Sequence, residues 1–224
     1  MTSSIDPRHV LIIGAGPGLG ASIGRRFAQG GYHVTLLARS ADRLGKLAKG
    51  LADTGAAVDT VTADAGDPEG LRATLSSLYA GAGAPGVMVH SASVLAQDSL
   101  LSSEVSHLHE AYDVDVISAV VATQVAAPAM RAAGRGTILF TGGGWADYPM
   151  REFSTISVGK AALRSAATVL GAELADDGIR LASITIAGAI APGTPFDPDR
   201  IAERYWTIVE SGDSWQSEFR FEGT

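Results

Sequence analysis

The segment Gly14-Ala15-Gly16-Pro17-Gly18-Leu19-Gly20 is the densest chemical signal in the chain. Glycine lets a backbone turn where other residues are barred and approach a phosphate with no side chain in the way. The segment follows an apolar run at 9–14 (HVLIIG) and precedes an amphipathic stretch at 22–29, where Ile23 and Phe27 are four apart. A helix starting there turns unpaired N–H groups and the positive end of its dipole toward a pyrophosphate. Strand, glycine turn and helix in that order point to dinucleotide binding, although any tight strand-to-helix turn also favours glycine. At the end of the second apolar run stand Ala38-Arg39-Ser40, with no acid between 37 and 41. A guanidinium pairs with a 2′-phosphate that a carboxylate repels, so the expected cofactor is NADP(H) rather than NAD(H). Arg39 as a solvated side chain and Ser40 as a helix cap are the competing readings. Asp64 is placed to accept from an adenine amino group, or else to close the turn before Asp67 and Pro68.

These residues need strands and helices that alternate, and the chain supplies them. Strands are expected at 9–14, 32–38, 57–62, 86–90, 136–141 and 179–187, with a short edge strand at 217–221. Helices are expected at 22–29, 42–51, 68–79, 103–133 (bent at Pro128), 158–175 and from Asp197 onward. Regular alternation implies a parallel sheet covered on both faces, a doubly wound α/β Rossmann fold in a single domain. Residues 1–8 are expected as a flexible N-terminus, 9–224 as the domain, and a short substrate-side lid near 189–212.

The chain has 224 residues, 46% of them hydrophobic and 18% charged, enough for one substantial core. A net charge of −7 argues against a nucleic-acid partner, and the absence of cysteine removes disulfides and thiolate chemistry. His107 and His109 lie two apart on an expected helix and point to different faces, so no metal site is expected. Glycine or charge interrupts each apolar run short of a membrane span, and 1–8 lack a signal-peptide layout, so a cytoplasmic protein is expected.

With these pieces the chain resembles the short-chain dehydrogenase/reductase family over nearly its whole length. Gly14, Gly18 and Gly20 match that family's G-x-x-x-G-x-G spacing, with Ile13 in place of its usual threonine. Asp64 matches its adenine-contacting aspartate, and His90-Ser91-Ala92-Ser93 stands where it has Asn-Asn-Ala-Gly. Gly159-Lys160-Ala161-Ala162 looks like the start of its helix after the catalytic lysine. The resemblance implies a cofactor lined by Gly14, Gly16, Gly18, Leu19, Gly20, Arg39, Ser40, Asp64 and Ala92, with Lys160 on the nicotinamide ribose. It also implies a homodimer or homotetramer, paired through the two long helices.

The family's serine, tyrosine and supporting asparagine do not carry over. Their positions hold Gly143, Ile156 and Asp115, and only Lys160 survives in kind. Neither isoleucine nor glycine can donate a proton. Tyr148, Thr141 and His90, in that order, are the substitute polar groups. Trp145, Tyr148 and Phe153, beside the space left by Gly143, form a candidate apolar substrate wall with Met150. One reading is an atypical NADP(H)-dependent oxidoreductase acting on a small carbonyl, imine or activated alkene. Another keeps the dinucleotide without net redox, as an isomerase, cyclase or lyase with Asp115 as a base near Lys160. A third is an inactive cofactor-sensing protein.

Overall fold

The computed structural model describes residues 5–53, 55–211 and 215–223. Chain order is β1 (Ile5–Ile13), α1 (Leu19–Gln29), β2 (His33–Ala38), α2 (Ala41–Ala52), β3 (Val58–Thr62), α3 (Pro68–Ala82) and β4 (Ala84–His90). It continues with α4 (Val105–Tyr112), a π-helical turn (Asp113–Ile117), α5 (Ser118–Ala133), β5 (Gly136–Gly143), α6 (Ser154–Leu174), β6 (Ile179–Ile186), α7 (Pro198–Glu210) and β7 (Glu218–Phe221). The strands form one seven-stranded sheet, order β3-β2-β1-β4-β5-β6-β7, parallel at every pairing. The order reverses between β1 and β4, which opens a crevice at their C-terminal ends.

Successive residues of a strand face opposite sides, and both sides here are covered, so Val10 to Ile13 are all fully buried. One core takes Val10, Ile12, Leu36, Val89, Leu139 and Ile184 against Ile23 and Phe27 of α1 and Ile201 and Tyr205 of α7. The other takes Leu11, Ile13, Met88 and Phe140 against Leu71 of α3, Ala119 and Ala122 of α5, and Leu163 of α6.

Several expected boundaries move. β1 begins at Ile5, where Ile5 and Asp6 pair with Ala84 and Pro85, so residues 5–8 belong to the sheet; 1–4 lie outside the described residues. The long helix runs through Pro128, and its irregularity falls instead at the π turn. From Val105 to Ala133 it is long and apolar enough by composition to cross a membrane, which the sequence reading did not expect, and over half of its most apolar window is buried inside the fold. The span expected as a lid, 189–212, is mostly helix. From Pro198 onward the chain is α7, whose apolar stripe is in the core and whose polar side is tied to α1 by Arg25–Asp199 (2.7 Å) and Arg26–Glu203. Trp206 lies over Gly30, under the Arg26 guanidinium at 4.0 Å from its ring. Only 189–197 of that span precedes the helix, and residue 212 lies outside the described residues.

Candidate functional site

Gly14 leaves β1 with φ +86°, and a Cβ there would stand 2.3 Å from the backbone nitrogen of Ala92. The two loops after β1 and β4 therefore touch, and glycine is the residue that permits it. Gly20 has the same function inside the turn, where a Cβ would come 2.9 Å from Cα of Ala15. Gly16 and Gly18 differ: nothing lies within 4 Å of where their Cβ atoms would be. They open onto the N-terminus of α1, which begins at Leu19 with no capping side chain and no acid in its first turn. Unpaired N–H groups facing open space are the donor set a pyrophosphate requires, so these residues fit a bound dinucleotide.

Around the turn, Arg39 is exposed and has no hydrogen-bond or ion-pair partner among the described residues. Ser40 caps α2, its hydroxyl accepting from the N–H of Arg43 at 3.4 Å. Asp64 is exposed at the end of β3, one carboxylate oxygen accepting from Gly66 N–H at 2.9 Å.

Lys160 is buried on α6 and donates from Nζ to the carbonyl of Thr141 at 2.9 Å. Asp115 faces it from the π turn, fully buried, with one oxygen accepting from Val94 N–H at 3.0 Å, next to Ser93. Its other oxygen, Oδ2, has no partner and lies against Gly159. Burial drives the Asp115 carboxyl up, against the pull of Lys160, and drives the Lys160 amine down, against that of Asp115.

Two expected substitutes do not reach this centre. Thr141 shares its strand face with Leu139, and its hydroxyl pairs at 2.7 Å with Tyr205 in the α1/α7 core; only its carbonyl meets Lys160. His90 is fully buried, its Nε2 2.6 Å from the Ser118 hydroxyl, which itself donates to the Val114 carbonyl. Burial first, and Lys160 second, lower the His90 pKa to about 3, so the ring is neutral and closed off from the crevice. Tyr148 is 77% exposed, and no hydrogen bond among the described residues holds its phenol. Its loop is held through Asp147, paired with Arg164 at 2.5 Å and Arg220 at 2.8 Å. A Cβ on Gly143 would sit 3.5 Å from Cγ of Lys160 and 3.7 Å from the Trp145 ring, which stacks on Phe153 at 5.7 Å. The Trp145–Phe153 stack and the lysine stem thus meet at Gly143. Ile156 is buried and offers no proton.

Sequence reasoning missed Asp98. Its Oδ1 accepts from the backbone N–H groups of Ser154 (2.9 Å) and Thr155 (3.0 Å) and from the Ser154 hydroxyl, while Oδ2 takes the Thr155 hydroxyl and His107 Nε2 (3.0 Å). It caps α6 from a distant loop, because the helix's own N-cap position is Phe153, which has no capping oxygen. The only sign in the sequence was a helix start without a cap. Burial raises the Asp98 carboxyl, but the hydrogen bonds from Thr155, His107 and Ser154 outweigh it and hold the group well below the usual carboxylate range. A depressed pKa gives stability that is complete above the unfolded value of about 4 and fades as pH falls through the folded one. Asp98→Ala is expected to cost about 2–4 kcal/mol at pH 7 by chemical denaturation, with the deficit against wild type shrinking in acid.

Residues 8–197 match the family model for short chain dehydrogenases. The chain belongs to that family. An uncharacterised oxidoreductase of Mycobacterium tuberculosis is 30% identical over 161 residues, 71% of this chain, which spans only 61% of that relative. A (2S)-[(R)-hydroxy(phenyl)methyl]succinyl-CoA dehydrogenase subunit of Thauera aromatica is 28% identical over 204 residues, 87% of this chain and 78% of its own. Among solved structures, L-sorbose reductase of Gluconobacter frateurii, complexed with NADPH and L-sorbose, superposes with a TM-score of 0.89 at 24% identity, covering 100% of this chain and 98% of that one. The doubly wound single-domain fold expected from the sequence is therefore the fold of this chain.

Proposed function

We propose that the protein is an NADP(H)-dependent oxidoreductase that moves hydride between nicotinamide and a small organic carbonyl, imine or activated alkene. The observation that carries this is the open cradle of Gly16 and Gly18 over the uncapped N-terminus of α1. Gly14, Leu19, Gly20 and Ala92 shape the cradle, Asp64 and Ser40 flank the adenosine, and Arg39 takes the 2′-phosphate. When bound, the dinucleotide supplies or accepts the hydride. Lys160 holds the nicotinamide ribose, and Trp145, Tyr148 and Phe153 line the substrate side. The NADP-complexed structural neighbours support the choice of cofactor.

Calorimetric titration with NADPH, NADP⁺, NADH and NAD⁺ tests the reading. NADPH is expected to bind at least about tenfold more tightly than NADH, a gap of about 1.4 kcal/mol that Arg39→Asp abolishes. Binding of none of the four overturns it. The buried Lys160–Asp115 pair favours a second reading, acid–base chemistry without net redox. Substrate conversion with no change in nicotinamide absorbance would select that one.

Two further assignments belong to the proposal. The exposed apolar residues Leu100, Val105, Tyr112 and Val158, which line a groove of about 400 Å³ beside α4 and α6, support pairing into a homodimer or homotetramer. The cysteine-free composition supports a cytoplasmic location.

A further inference from the structure

The chain lacks a proton donor at 143 and 156, yet it keeps a fully buried carboxyl group nearby with one oxygen unused. Oδ2 of Asp115 has no partner, and it fits only because residue 159 is glycine: a Cβ there would come 2.9 Å from it. The π turn at Asp113–Ile117 carries the residue inward, between the loop after β4 and α6. A buried carboxylate oxygen without a donor is costly, and a bound proton removes that cost. The Asp115 carboxyl also has a route to solvent. Ser93, directly before the Val94 N–H that holds Oδ1, is exposed.

Ser93 is well placed to meet a substrate. Its loop abuts the glycine turn on one side, where the Ala92 backbone closes on Gly14. On the other side it is fastened to α6 through Asp98, Ser154 and Thr155. The competing hydroxyls and imidazole are removed by geometry, since Thr141 faces Tyr205 and His90 is sealed under Ser118.

We propose that Ser93 and Asp115 form the proton-transfer dyad of the site, Ser93 touching the substrate heteroatom and Asp115 standing behind it. This rests on the oxidoreductase reading above, in which a bound reduced nicotinamide dinucleotide supplies the hydride and both electrons. On the chain's side, the O–H bond of Ser93 breaks as the heteroatom takes its proton. Ser93 Oγ takes the proton of the Asp115 carboxyl in the same step, leaving a carboxylate. The Lys160 ammonium is the charge facing that carboxylate, and His90, the other titratable group it acts on, is neutral. Solvent at Ser93 then returns one proton to Asp115, so each reduction consumes one hydride and one proton. Oxidation runs the same bonds backwards.

The dyad is tested without turnover by a pH titration of protein labelled with ¹³C in its aspartate carboxyls, the Asp115 signal being assigned with Asp115→Asn. Asp115 is expected to titrate above the other aspartates, and Ser93→Ala is expected to raise it further by removing a donor to the carboxylate. Asp115 titrating among the others, or unmoved by Ser93→Ala, overturns the dyad. If Asp115→Asn does not fold, Asp115→Ser assigns the signal instead. With a turned-over substrate, Ser93→Ala is expected to lower kcat about 100-fold or more with KM little changed, a larger loss than Tyr148→Phe gives. The reverse ranking overturns the dyad. NADPH calorimetry on wild type keeps the two ideas apart. Absent binding ends the oxidoreductase reading whatever Asp115 does, whereas NADPH binding with an ordinary Asp115 ends only the dyad.

Discussion

Alanine at Gly14 and alanine at Gly16 are expected to fail in opposite ways. At Gly14 the new methyl would sit 2.3 Å from the Ala92 backbone, on a residue held at φ +86°. Strain in the left-handed region and overpacking against backbone each cost about 1–3 kcal/mol, so Gly14→Ala loses about 3 kcal/mol or more. The loss should appear as a lower denaturation midpoint with or without cofactor. At Gly16 the methyl meets no protein atom within 4 Å, so stability should stay within about 0.5 kcal/mol of wild type. NADPH affinity should nevertheless fall, by about tenfold or more, because the methyl enters the room meant for the pyrophosphate. Equal affinity in Gly16→Ala and wild type would show that the ligand does not use the cradle.

Lys160→Met is expected to have the second large effect. It removes the donor to the Thr141 carbonyl and the charge facing Asp115, and breaking a buried pair costs about 3–5 kcal/mol. Without Lys160 the carboxyl has only burial acting strongly on it, so its folded pKa rises further above its unfolded value. The folded state then binds more protons than the unfolded one, and stability falls as pH rises above about 4. Lys160→Met should therefore be markedly weaker at pH 8 than at pH 5 in urea titrations. Pairing it with Asp115→Asn should remove most of that slope. A slope unchanged in the double variant would mean that another group titrates. NADPH affinity of Lys160→Met should fall as well, since the ribose loses its ammonium.

The elements were legible because each is encoded locally. The apolar runs at 9–14 and 136–141, the leucine spacing in α2 and the Asp197-Pro198 start of α7 all depend on residues a few positions apart. Lys160 and Asp115 were also legible, by register with a known pattern. What failed was strand parity. Thr141 has the same parity as Leu139, and His90 the same as Met88, so both side chains point into packed faces and not toward the crevice. That information lay in the sequence, but proximity along the chain was read in place of facing. Asp98 and Ser93 were hidden for another reason. Their partners lie tens of residues away, at the start of α6 and in the π turn, and no local spacing encodes such a meeting.

The π turn also bears on the apolar helix from Val105 to Ala133. A π turn is wider than an α-helical one, so the faces before and after it are out of phase. Ahead of it, Val105 and Tyr112 look outward; behind it, Ala119, Ala122, Ala126 and Met130 look into the sheet. The stretch owes its span-length hydrophobicity to the residues from the π turn onward, since Ser106, His107, His109 and Glu110 make the half ahead of it polar. A single helical wheel drawn through all of it would average the two halves into an evenly greasy cylinder, which neither half is.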